Sequence, residues 1–323
     1  MKEAKFIERN KGKWNGMEQP EKRVDQLADD FVELSDDLSY ARTFYPGSDT
    51  EHYLNRLMAR FQTRVYKHRS HRKKGIREFW KTEFPGLIYR ERKTLLFALC
   101  FFIAAVVLGG FSAGKDEGFV RLILGDGYVN KTLDNIEQGT PMGIYASLGA
   151  WEMFWRITIN NIQVSFFAFV YGLLFSAGTL WILLQNGVMI GVFQYFFYAR
   201  GLLLHSALSV WAHGTFEITA IVMAGGAGLV MGNSFLFPGT CTRGESFRAG
   251  ALKGIQIVVG LIPFFIIAGA IESCVTRYAD AHPRVGLVAI LLSLAGVIAY
   301  FVWYPYYITH KTDHEENRIE PRT

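Results

Sequence analysis

Cysteine is scarce in this chain of 323 residues: Cys100, Cys241 and Cys274 are the three present, and they form no CxxC pair and no disulfide framework. Catalytic and nucleotide-binding signatures are missing as well. No HExxH, Walker A or GxGxxG sequence occurs, so no cofactor or metal is expected. Charge runs short after residue 93. The chain has 34 Lys+Arg and 29 Asp+Glu; residues 1–93 hold 21 and 15 of them, which leaves 34 − 21 = 13 and 29 − 15 = 14 for the other 230 residues. That remainder is rich in Gly and Phe. Together these shortages exclude intrinsic disorder, a disulfide-stapled secreted domain and a compact soluble enzyme.

What is there instead is apolar sequence of membrane-spanning length. Thr94 to Ser112 carries no charge, and about 19 residues suffice to cross a layer of about 30 Å. Further apolar runs follow at about 158–183, 187–200, 212–232, 251–272 and 286–307. Six spans are expected, with a long loop at 113–157 and a tail at 308–323. Gln185-Asn186-Gly187 separates the second span from the third, either as a tight turn or within a broken helix pair. Lys and Arg concentrate before the first span (Lys73, Lys74, Arg77, Lys81, Arg90, Arg92, Lys93), between spans four and five, and in the tail. The bias toward one side predicts a multi-pass protein of the cytoplasmic membrane with both termini in the cytoplasm.

Residues 1–73 read as a cytoplasmic helical region. Residues 1–20 look like a loose arm. Val24, Leu27, Phe31, Leu34 and Leu38 then recur at helical spacing, as do Tyr53, Leu57, Phe61 and Val65, with Tyr45-Pro46-Gly47-Ser48 as the turn between two helices. The basic run Lys67 to Lys74 stands so close to the first span that it reads as a face for anionic lipid and not for nucleic acid. Residues 74–93 mix Trp80 and Phe84 with Arg90 and Arg92, the make-up of an interfacial amphipathic helix that Pro85 bends toward the bilayer.

Polar groups inside apolar runs are expensive, so they carry functional expectations. His213 and Glu217 are spaced i,i+4 in the fourth span and share a helix face. Asn160 and Asn161 open the second span, and Asn186 stands at its end. These five are expected to form one buried polar cluster. It serves either as a hydrogen-bonded structural tie or as a proton or cation site. A metal or catalytic pair is the remaining reading, but His213 and Glu217 supply only two ligands, and zinc sites use at least three. Glu272, at the outer end of the fifth run, is placed in reach of water, and Cys100 is placed as a packed thiol. Gly187, Gly191, Gly214, Gly228 and Gly232 belong to small-residue spacings that allow close helix packing, and a dimer face as well.

These motifs resemble the stage II sporulation protein M family. The matching pieces are Phe79 to Phe102, Asn160-Asn161, Gly172, Gly178, Asn186-Gly187 with Gly191, and above all Ala212 to Gly232. The family shows Pro-His-Gly-x-x-Glu there; this chain keeps His213, Gly214 and Glu217 but has Ala212 in the proline place. The resemblance spans about 75 to 305 and implies an integral membrane component of an engulfment machine. Such a component anchors cell-wall-cleaving partners and is not itself the hydrolase. The sequence therefore predicts an all-α polytopic membrane protein acting as a non-enzymatic scaffold for an envelope complex. Its expected partners are membrane lipids, other envelope proteins and a second copy of itself. The rival is a transporter or channel using the His213/Glu217/Asn cluster. A water-filled path to Glu217 separates the rival from a dry packed core.

Overall fold

The computed structural model describes residues 3–17, 24–70, 75–141, 143, 149–240, 242–276 and 283–319, in two compact units that meet in sequence at Gly75 and Ile76. Among the described residues every regular element is helical.

The first unit has three helices: α1 (Glu3–Met17), α2 (Val24–Phe44) and α3 (Asp49–Ser70). The loose arm expected at residues 1–20 is instead mostly helix. Phe6, Trp14 and Met17 lie on one face of α1 and are buried against Leu34, Leu38, Leu54 and Leu57. Polar ties fix the register: Trp14 Nε1 donates to Asp37 at 2.9 Å, Lys13 pairs with Asp37 at 2.7 Å, and Thr50 Oγ1 donates to Glu3 at 2.6 Å. The α2–α3 turn needs Gly47, whose φ of 76° suits glycine. Ser48 Oγ accepts from the Glu51 amide at 3.2 Å and starts α3 as an N-cap. The side chains of Val24, Leu27, Phe61, Val65 and the basic run at 67–74 lie outside the described residues.

The second unit begins with an elbow: α4 (Ile76–Glu78), a π-turn over Phe79–Glu83, and α5 (Phe84–Arg90). The sequence places this segment at a lipid interface; Phe84 is fully buried, Leu87 and Ile88 join it in a core cluster, and Pro85 is buried as well. Phe84 packs face-on to Gly260, where no side chain fills the space. Pro85 has no N–H, so one of the two carbonyls four and five residues before it loses its helical donor. Those carbonyls belong to Lys81 and Trp80, and they accept the hydroxyls of Tyr304 at 3.0 Å and Tyr300 at 2.7 Å. Trp80 Nε1 donates to the Gly260 carbonyl at 3.1 Å. The elbow is thus bolted into the bundle, while the side chains of Arg90 and Arg92 hydrogen-bond to nearby carbonyls, Gly86 at 3.2 Å and Tyr89 at 2.8 Å.

Further helices follow among the described residues. They are α6 (Arg92–Lys115), α7 (Glu117–Leu124), α8 (Asp126–Glu137), α9 (Ala150–Val170), α10 (Ala177–Tyr198), α11 (Leu203–Leu236), α12 (Arg243–Ile271) and α13 (Pro283–Val297). The last runs through a π-turn into α14 (Tyr304–Ile319). Among the described residues, five helices, against the six expected, are long and apolar enough to cross a membrane: Arg92–Lys115, Ala177–Tyr198, Leu203–Leu236, Arg243–Cys274 and Pro283–Lys311. α9 has comparable length but carries Arg156, Asn160, Asn161 and Gln163.

The break between the second and third expected spans lies elsewhere than Gln185–Gly187, which is continuous α10. It falls at Tyr171–Ser176, so the runs 158–183 and 187–200 become 150–170 and 177–198. A short 3₁₀ turn is followed by Phe175 and Ser176 at φ of 51° and 67°, a region that side chains seldom adopt. Packing holds the turn there. Gly172 lies backbone to backbone with Gly228, Ser176 Oγ bonds Asn233 Oδ1 at 3.2 Å, and Thr179 Oγ1 donates across the hairpin to the Ala168 carbonyl at 2.7 Å.

Glycine also closes α6 on α10. Gly187 faces Ala105 and Phe102, and Gly191 faces Val106 and Gly110. Small residues permit this approach, which replaces hydrophobic drive in lipid. Cys100 is exposed on the outer side of α6 and is not packed as expected. The α12 start carries a capping box: the Glu245 amide donates to Thr242 Oγ1 at 3.4 Å, and Glu245 Oε2 accepts from the Thr242 amide at 3.2 Å. Thr242→Ala is expected to lower stability by about 1 kcal/mol, read as a lower detergent melting temperature. Thr242→Asp, which restores a capping oxygen, should recover most of that shift.

Candidate functional site

Four helices converge on one cavity. His213 and Glu217 lie one turn apart on α11 and face the same way. α9 contributes Asn160 and Asn161, α10 contributes Asn186 and Gln194, and the end of α12 contributes Glu272. The cavity volume is about 860 Å³. Its wall runs from Lys131 on α8 and Arg156 on α9 to Ile218 and Ile221 farther along α11. His213 stands ten residues into α11 and Asn160 ten residues into α9, about 15 Å from each helix start at 1.5 Å per residue.

His213 Nε2 lies 3.5 Å from a Glu272 carboxylate oxygen. One ligand atom each from His213, Glu217 and Glu272 can be chosen so that all lie within 4.8 Å of one another. The Asn161 side chain reaches Glu217, and Asn160 Nδ2 donates to Asn161 Oδ1 at 3.5 Å. Asn186 lines the same wall, but its Nδ2 donates to the Ile182 carbonyl of its own helix at 2.8 Å. Gln194 Nε2 is buried in this wall with no acceptor among the described residues.

Glu272 departs from expectation. The sequence places it in reach of water, yet only 6% of it is exposed, and it faces His213. Nothing in its local pattern signals this, since an acid at the end of an apolar run is usually solvated. Gly214 departs too. Unlike Gly187, Gly191, Gly228 and Gly232, it touches no other helix; a Cβ there would meet only Ile218 and Val210 of its own helix, at 3.6 Å. Gly214 instead lines the cavity.

The fold and this site define an all-α, polytopic membrane protein with a polar cavity between its helices. Residues 98–277, more than half of the chain, match the family model described as Stage II sporulation protein M. The chain belongs to the Stage II sporulation protein M family. The matched segment holds every cavity residue named above, whereas Trp80, Phe84, Pro85, Arg90 and Arg92 lie before it. Residues 4–67 match a second model, Domain of unknown function (DUF8413). Comparison with curated proteins and with solved structures returned no match.

Proposed function

We propose that the chain is a membrane carrier or channel for a proton or small cation, with Glu217 and His213 as the exchanging groups. The observation that carries this reading is the cavity of about 860 Å³ reaching Glu217 at mid-helix depth. A structural polar tie needs no such space. A side chain that binds and releases an ion does, because both partners of the exchange must reach it. Ionisable groups facing an internal cavity mark pathways in membrane proteins. With α9 taken as a sixth crossing helix, the Lys and Arg bias before α6, before α12 and after α13 falls on one side, which supports the cytoplasmic membrane as the location and the cytoplasm as the side of both termini.

The test is flux in liposomes. Purified protein is reconstituted with an internal pH- or cation-sensitive dye, and Glu217→Gln is expected to slow the signal at least about tenfold, a barrier change of about 1.4 kcal/mol. Equal flux from the variant and the wild type overturns the reading.

The scaffold reading has its own support. The N-terminal unit has a separate core around Trp14, Leu34 and Leu54 that no ion path uses, which suits a docking module for envelope proteins. A homo-oligomer also fits this reading. Purification in mild detergent with mass spectrometry of retained proteins tests it: reproducible recovery of wall enzymes supports the scaffold, and a partner-free preparation removes it.

A further inference from the structure

The cavity brings a third ligand to a pair that the sequence leaves incomplete. We propose that His213, Glu217 and Glu272 bind a divalent cation, zinc in the first place, with the remaining coordination position open to the cavity. This names the cation for the site of the carrier reading and deepens that reading.

The donor set comes first. One imidazole and two carboxylates, without sulfur, are ligands that zinc accepts, and three protein ligands plus an open position is the usual form of a reactive zinc site. Geometry agrees. Neighbouring ligands on a tetrahedral ion with bonds of 2.0–2.2 Å stand about 3.3–3.6 Å apart. The His213–Glu272 separation is already 3.5 Å, and one ligand atom from each residue can be chosen so that no pair is farther apart than 4.8 Å. The i,i+4 pair sits on rigid α11, so only the long glutamate side chains need turn to close that gap.

Charge is the second argument. Two carboxylates within 4.8 Å of each other, one of them 6% exposed, repel strongly in a medium of low dielectric. With neutral His213 and both carboxyls deprotonated, as metal ligation requires, the trio supplies a formal charge of −2, which a divalent ion cancels. Lys131 and Arg156 lie on the same cavity wall, but each contributes only one positive charge and neither is a metal ligand.

Surroundings supply the third. Metal-bound carboxylates are commonly held by outer hydrogen bonds. Asn161 reaches Glu217 in that role, and Asn160 in turn donates to Asn161. Gly214, between the two α11 ligands, leaves the cavity side clear of a side chain.

The experiment uses the whole chain in mild detergent. Bound metals are measured by elemental analysis, and zinc affinity is measured by competition with a chromophoric chelator after chelator treatment. About one zinc per chain is expected. Outer-ligand substitutions change metal affinity about 10–100-fold in known sites, so Asn161→Ala should weaken zinc about tenfold, and Glu272→Gln or His213→Ala at least about 100-fold. Glu272→Gln keeps the side-chain size, and its size-exclusion profile reports whether the fold survives. Monodisperse wild type that neither retains zinc nor competes for it at micromolar levels overturns the proposal. So does wild-type affinity in a well-folded Glu272→Gln, or tighter binding of magnesium or calcium than of zinc. Zinc binding without flux leaves the metal site standing and removes the carrier. Flux without zinc binding does the reverse.

Discussion

Gly228→Val is expected to leave almost no folded membrane unit. At this position α11 has no side chain because the hairpin end of α9 and α10 occupies the space. A Cβ on Gly228 would stand 2.6 Å from the Ala168 carbonyl oxygen and 3.1 Å from that of Phe169, and closer still to Thr179 Oγ1. None of these can step aside cheaply. The two carbonyls belong to helix backbone, and Thr179 Oγ1 is held to Ala168 at 2.7 Å. Overpacking a well-filled core costs about 1–3 kcal/mol where side chains can shift, and more is expected where only backbone can move. Thermal melts and size-exclusion profiles in detergent read the result. Gly244→Ala is the matched control, because no atom lies within 4 Å of its would-be Cβ. A Gly228→Val protein that melts with the wild type would show that α9, α10 and α11 do not meet as described.

Trp14→Ala should unfold the N-terminal unit and spare the membrane unit. Trp14 is 3% exposed, edge-on to Phe6 at 5.6 Å between ring centroids and tilted against Tyr53 at 5.9 Å. Its Nε1 also bonds Asp37. Truncating a buried Trp costs about 3–5 kcal/mol in water-soluble cores. A small helical unit has a total stability of about 5–15 kcal/mol at most, so much of it is lost. Limited proteolysis of the full chain is the readout, with rapid cleavage inside residues 3–70 and an intact fragment from the second unit. Trp14→Phe keeps most of the volume and should lose only about 1 kcal/mol, the worth of the hydrogen bond. Unchanged protease resistance in Trp14→Ala would sink the assignment of α1 to this core.

The membrane architecture was legible because long charge-poor runs have one dominant physical solution, the buried helix. The i,i+4 pair of His213 and Glu217 was legible for the same reason: helical spacing alone puts them on one face. Boundaries were harder. Asn186-Gly187 looks like a turn, but its Gly is a contact point with α6 and its Asn bonds back to Ile182, so the helix passes straight through. The real break at Phe175–Ser176 has little turn chemistry of its own and is imposed by packing against Gly228 and Gly232. The α1 helix hid behind its polar residues, since only Phe6, Trp14 and Met17 mark its apolar face. Glu272 became visible as part of the site only when α12 met α11, a tertiary contact without a local signature. The elbow misled in the opposite way. Its aromatic and basic mixture matches an interfacial helix, but Phe84 fits the gap left by Gly260 in a distant part of the chain.

The glycine contacts also decide which parts of the bundle are stiff. Where Gly187 and Gly191 bring α10 onto α6, and Gly172 meets Gly228, two main chains touch with no layer of side chains between them. Sliding one helix past the other there would drive backbone into backbone, so these seams act as welds. Around the cavity the walls are different: Met189 and Phe193 present long or rotatable groups to it. Mechanical compliance is therefore concentrated around the cavity. A breathing motion that admits or expels an occupant would leave the α6–α10 seam unchanged and be absorbed by rotamers of the wall. In hydrogen–deuterium exchange the welded seams should be the slowest part of the membrane unit and the cavity-facing turns of α9 the fastest.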